Sequence, residues 1–176
     1  MINRLDRAYG NAKYLAPSFE HKNLVNIVGL RQGQKIWLPQ QATNTGGRNR
    51  ICSSSPHYLH ETSLTKSYKE ETRQVYQQSI FEISPTDEQQ VCTITRKNRK
   101  LVHHIYSWKG LLLRSKSGNK MSDKPVNLVG MITKDADTGE RIFQNPMFLV
   151  ISGAYKSEIT PQMAFEEYLR RYSTIF

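Results

Sequence analysis

The stretch Pro146-Met147-Phe148-Leu149-Val150-Ile151-Ser152-Gly153 decides the fold. Met147 to Ile151 form an unbroken apolar run closed off by a proline and a glycine, and the run is too short for a helix of about ten residues or more. A continuous rather than alternating apolar pattern marks a strand buried on both faces. The run therefore predicts a strand returning to a main sheet, and the flanking residues say what that sheet carries.

On the C-terminal side, Thr160 is placed to N-cap a helix and Pro161 suits its first position, where a backbone N–H has no intrahelical partner in any case. Phe165, Leu169 and Tyr172 recur at helical spacing, with Ala164, Tyr168 and Arg171 as a second stripe beside them. On the N-terminal side, Ser79–Ile83, Gln90–Thr95, Lys100–Trp108 and Val126–Thr133 read as successive strands, with turns at Lys97-Asn98-Arg99 and at Asp135–Gly139. This is an antiparallel meander. Further back, Pro39 to about Gln78 shifts to Gln, Thr, Asn, Ser and charge around Gly46-Gly47, the composition of a polar excursion with little core of its own. The chain opens with a strand over Ile2–Leu5 that stops at Asp6, a turn at Tyr9-Gly10-Asn11, a buried strand over Leu24–Leu30 and a short extension over Lys35–Leu38. The sum is an α+β protein with an antiparallel β region and a C-terminal helix.

The 176 residues suffice for one ordinary domain, and 25 Lys+Arg against 15 Asp+Glu give a formal charge of +10. An excess of that size favours a polyanionic partner, because neutralising phosphates releases condensed counterions. Cys52 and Cys92 stand far apart with no Cys-x-x-Cys unit, so neither a zinc ribbon nor a disulfide framework is indicated. No stretch approaches the roughly 20 apolar residues of a membrane span, and the N-terminus lacks a signal peptide's apolar segment, so a cytoplasmic protein is expected. Gly-rich phosphate loops, His-Glu-x-x-His and nucleophile-elbow patterns are absent, which removes support for P-loop enzymes and hydrolases. His103-His104 do not form a chelating pair, since neighbours on a strand point to opposite faces.

Leu5-Asp6-Arg7-Ala8-Tyr9-Gly10-Asn11-Ala12-Lys13-Tyr14-Leu15 resembles the segment around the second catalytic aspartate of DDE insertion-sequence transposases. The resemblance continues through Asn23-Leu24-Val25 to Leu30-Arg31, then through Trp108–Lys116, Lys124-Pro125-Val126-Asn127-Leu128 and Asn145-Pro146-Met147-Phe148-Leu149, which are similar to the family's β-rich insertion and the strand returning from it. Tyr168-Leu169-Arg170-Arg171-Tyr172 is similar to the helix bearing a Tyr-x2-Arg-x3-Glu-x6-Lys signature, with Tyr168 and Arg171 at the first two positions. The third falls on Ile175, and the lysine would lie beyond Phe176; the family's first aspartate, on an earlier strand, also has no counterpart.

The resemblance implies an incomplete RNase H-like catalytic core interrupted by an antiparallel β-rich insertion, divided as 1–38 (partial core), 39–145 (polar excursion and insertion) and 146–176 (returning strand and signature helix). It implies DNA transposition as the ancestral activity, in which carboxylates hold Mg²⁺ or Mn²⁺ to activate water and then a 3′ hydroxyl for attack on DNA. Asp6 is the one catalytic, metal-binding carboxylate retained, so tight metal binding and unaided catalysis are not expected; its other reading is a helix N-cap at a strand-to-helix turn. Expected DNA contacts are Arg31, Arg96, Lys97, Arg99, Lys100, Trp108, Tyr168 and Arg171, against the reading of a solvated hairpin tip and an ordinary amphipathic helix face. Expected partners are DNA and full-length transposase, with no membrane and no small-molecule substrate. A non-catalytic, basic DNA-binding protein derived from a transposase is the competing expectation.

Overall fold

The computed structural model describes residues 1–5, 10, 14–15, 17, 21, 23–31, 34–39, 57–59, 85–113, 124–143 and 146–171, and among these are eight strands and a C-terminal helix. The strands are β1 (Ile2–Leu5), β2 (Val25–Leu30), β3 (Lys35–Trp37), β4 (His57–Tyr58), β5 (Asp87–Ile94), β6 (Lys100–Leu113), β7 (Val126–Asp135) and β8 (Met147–Gly153). A short 3-10 turn, Lys156–Glu158, leads into helix α1, Pro161–Arg171. The sheet order is β1-β2-β8-β7-β6-β3-β4, with β5 on β6. Among the described residues β1 and β2 pair in parallel and the other pairings are antiparallel. The class is α+β, dominated by antiparallel sheet.

The apolar run behaves as its composition demands. β8 sits between β2 and β7, hydrogen-bonded on both edges, with Phe148 to Gly153 buried on both faces. Because successive strand residues point to opposite sides, its side chains feed two cores. Phe148 and Val150 join Val28, Leu30, Leu128, Trp108 and Leu113 on one face. Leu149 and Ile151 join Val25, Ile27, Ile105, Val129 and Met131 on the other, against Ala164, Phe165 and Tyr168 of α1. An isolated helix as short as α1 is marginal in water, so this contact carries it, with Thr160 Oγ1 accepting a hydrogen bond from the Met163 N–H (3.1 Å) at its N-terminus. Of the two stripes, Ala164 and Tyr168 lie fully against the sheet beside Phe165, while Leu169 is half-buried.

β6 is longer than its apolar periodicity predicts because a bulge divides it. Trp108 pairs with Leu128 but Leu111 pairs with Val126, so one extra residue is accommodated at Lys109-Gly110, and Gly110 takes φ +74, a conformation open to glycine at no steric cost. The extra residue shifts the inward phase. Trp108 before the bulge and Leu111 and Leu113 after it all reach the same core. The N-terminal part of β6 pairs with β5 and its last residues, Leu112-Leu113, with β3.

The polar excursion is less peripheral than its composition suggests. His57-Tyr58 form a strand on β3, and Leu59 is fully buried in the same core as Trp108 and Phe148. A single leucine in a polar context supplies no periodicity, so its burial is decided by tertiary pairing alone. The strand expected over Ser79–Ile83 and the turn at Tyr9-Gly10-Asn11 fall outside the described residues, Gly10 excepted, as do Cys52 and His60. Among the described residues no helix is long and apolar enough to cross a membrane.

At Gly153, φ is +114 and an added Cβ would collide with the Leu24 carbonyl oxygen. Backbone would have to move to admit it. Gly153→Ala is therefore expected to lower stability by more than about 2 kcal/mol in urea unfolding, and a loss under about 0.5 kcal/mol would refute the close approach.

Candidate nucleic-acid interface

The β5–β6 hairpin ends in a tight turn because Asn98 accepts φ +58, a left-handed conformation that asparagine tolerates better than other side-chain-bearing residues. The Thr95 N–H donates to the Arg99 carbonyl at 2.9 Å and the Asn98 N–H to the Thr95 carbonyl at 3.0 Å. Beside this turn lies the one after β7. Its Asp135 carboxylate accepts hydrogen bonds from the Asp137 and Thr138 N–H groups at 2.9 and 3.0 Å and from the Arg99 guanidinium, while the Ala136 N–H donates to the Lys100 carbonyl. Two turns are thereby locked together. The Arg99 hydrogen bond first, then the two backbone donors, hold Asp135 down to about pKa 2.

This lock sorts the expected DNA contacts. Arg96, Lys97 and Lys100 are exposed at the sheet end, whereas Arg99 is spent in part on Asp135. Arg31 is exposed just past the end of β2. Trp108 is 3% exposed and Tyr168 6%, both rings facing the core, so neither offers a free face to a base. Arg171 is the last residue of α1, and Asp6 lies outside the described residues.

The paired histidines diverge as strand geometry requires. His103 is fully buried beneath α1, its ring 4.7 Å from that of Phe165. Its Nε2 shares a hydrogen bond with Thr93 Oγ1 (2.7 Å) and its Nδ1 with Thr133 Oγ1 (2.9 Å). Hydroxyls donate or accept, so these bonds serve either protonation state. Burial, and secondly the charge of His104, lower its pKa to about 4. His104 stands on the opposite, solvated face, with its Nδ1 3.3 Å from Gln90 Nε2.

Two segments far apart in sequence meet across the sheet's other end. Arg4 of β1 and Glu167 of α1 form an ion pair, Nε to Oε2 at 2.9 Å, and Arg170 Nη1 approaches Oε1 at 3.3 Å. The Arg4 contact is charge against charge without an aligned hydrogen bond. Neither Arg4 nor Glu167 belongs to a motif read from the sequence, and only the parallel β1–β2 register, which turns Arg4 to the same side as Ile27, brings them together. Lys134 and Arg141 also lie in no sequence motif; antiparallel pairing of Val102 with Lys134 is the signal that places Lys134 next to the hairpin's cations. Among the described residues no group of three or more His, Cys, Asp or Glu side chains is arranged to hold a metal ion.

No protein-family model matches this chain, and neither a curated protein nor a solved structure matches it.

The two depressed pKa values predict a biphasic acid response. His103 binds a proton more readily unfolded (6.5) than folded (about 4), so its contribution is complete above pH 6.5 and is lost as pH falls toward 4, at up to about 1.4 kcal/mol per pH unit. Asp135 acts lower, its contribution present above 3.8 and lost as pH falls toward 2. Thermal melts across this range should show His103→Gln flattening the upper phase and Asp135→Asn the lower; unchanged slopes in either variant would assign that phase elsewhere.

Proposed function

We propose that this chain derives from a DDE-type transposase with an RNase H-like core and acts on DNA without itself catalysing transposition, the position of the signature glutamate being Ile175. The observation that carries the reading is the Arg4–Glu167 ion pair. It joins the strand leading to Asp6 with the helix bearing Tyr168 and Arg171, the two segments in which the resemblance to the family's catalytic motifs resides. Such motifs have to converge for carboxylates to share metal ions, and a parallel β1–β2 pair beside a covering helix is an arrangement suited to it.

The chemistry is a separate matter. The signature position for glutamate holds Ile175, and the carboxylate beside β1, Glu167, is engaged by two guanidiniums. That donor set does not suit Mg²⁺, which needs carboxylate oxygens free to face it. A non-catalytic, basic DNA-binding or interaction protein derived from a transposase is the second reading, favoured by the charge of +10 and the exposed Arg96, Lys97 and Lys100.

Nicking and strand transfer on DNA should be undetectable for the purified chain with Mg²⁺ or Mn²⁺, both for wild type and for Asp6→Ala. Activity abolished by Asp6→Ala would show that other carboxylates complete the site and would overturn the non-catalytic part of the proposal. In parallel, DNA titrations should show affinity falling steeply with salt; no binding at low salt would remove both readings.

A further inference from the structure

The face of β5–β6–β7 turned away from α1, solvated at the hairpin end and closing at Ile132 and Tyr106 onto the core of Trp108 and Phe148, carries an ordered set of side chains. Register places Ile94 opposite Lys100, Cys92 opposite Val102 and Lys134, Gln90 opposite His104 and Ile132, and Glu88 opposite Tyr106 and Gly130. Arg141 bridges to Lys134 and extends the second row. All these even-numbered positions point the same way, away from α1. Three cations, Lys100, Lys134 and Arg141, thus share one face, with Arg96 and Lys97 at its open end and, among the described positions paired in register, one carboxylate, Glu88, at the far row. Asp135, paired with Leu101, points to the other side, where Arg99 holds it.

His104 lies at the centre. The groups facing it are Glu88 and Gln90 from β5, Lys134 from β7 and, across the sheet, His103. The Gln90 amide at Nδ1 serves either protonation state by presenting its N–H or its carbonyl. Partial burial first, then Lys134, disfavour the imidazolium, and Glu88 only partly offsets them, so the free protein keeps His104 below its ordinary pKa. A phosphate seated against Lys100 and Lys134 reverses the sign of the local field, and the imidazolium becomes favourable.

We propose that this face, from Lys100 across Lys134 to Arg141 with His104 at its centre, binds the phosphate backbone of DNA and takes up a proton from solvent at His104 as it does so. The inference rests on the DNA-binding reading given above and adds its location and its pH dependence. Linkage then requires binding to tighten as pH falls through the His104 transition.

The test is fluorescence anisotropy with a labelled DNA duplex at about pH 7.5 and about pH 5.5, for wild type, His104→Gln and Lys100→Gln/Lys134→Gln, with circular dichroism verifying the fold at both pH values. Wild type should bind at least about threefold tighter at the lower pH, and His104→Gln should bind comparably at the higher pH without that gain. The double lysine variant should lose about two units of the salt slope and at least about tenfold in affinity. Wild type failing to bind DNA at either pH would overturn this proposal together with the reading beneath it. Binding that survives the lysine substitutions, or a pH gain retained in His104→Gln, would overturn this proposal alone.

Discussion

Strand β8 is the constraint on which the remaining structure depends, because it is paired on both edges and buried on both faces. A strand so placed has to be apolar on both sides, since any polar side chain there needs a partner within the sheet. The exception, Ser152, obeys that condition: it is fully buried opposite Asn26 on β2, whose side-chain amide donates to its Oγ at 3.4 Å. Around β8 the two cores are coupled. Phe148 and Val150 hold the β2–β7–β6 face that reaches Leu59, and Leu149 and Ile151 form the floor on which α1 rests. Loss of β8 would uncouple β1–β2 from the meander and remove the support of the helix at once.

The bulge at Lys109-Gly110 gives β6 its two partners along one edge. Without the extra residue the inward phase of Trp108 would continue to residues 110 and 112, and Leu111 and Leu113 would face away from the core they now fill. With it, the first part of β6 serves the hairpin to β5 and the last part serves β3. At the other end of β6 the β5–β6–β7 strands run past β8, which pairs β7 only over Asn127–Met131, and this overhang carries Lys100, His104 and Lys134. The opposite face of the same strands is covered by α1, which is why His103 is buried while its neighbour is not. One strand thus divides a basic outer surface from a neutral inner one.

Electrostatics at the two ends of the sheet differ in kind. At the hairpin end, Asp135 gathers one guanidinium and two backbone donors, a lock that fixes two turns and removes part of one cation from the surface. At the β1 end, Glu167 stands between Arg4 and Arg170 and links the first strand to the last helix. In both, an accessible guanidinium meets a largely buried carboxylate, and each contact fixes the register of the elements it joins.

By itself the sequence determined the local elements whose cause is local. The apolar run Met147–Ile151 could only be a doubly buried strand, Thr160-Pro161 could start a helix, and the turns at Asn98 and after Asp135 were written in residues that favour turns. It also determined that His103 and His104 part company, since strand alternation is a property of the backbone. The tertiary structure alone decided the rest: that Leu59 leaves a polar context for the core, that Trp108 and Tyr168 turn inward, that Arg99 is held by Asp135, and that Arg4 meets Glu167. Each of these depends on which strand lies beside which. Pairing partners are chosen by the summed burial of two whole faces, a quantity that no single stretch of sequence contains.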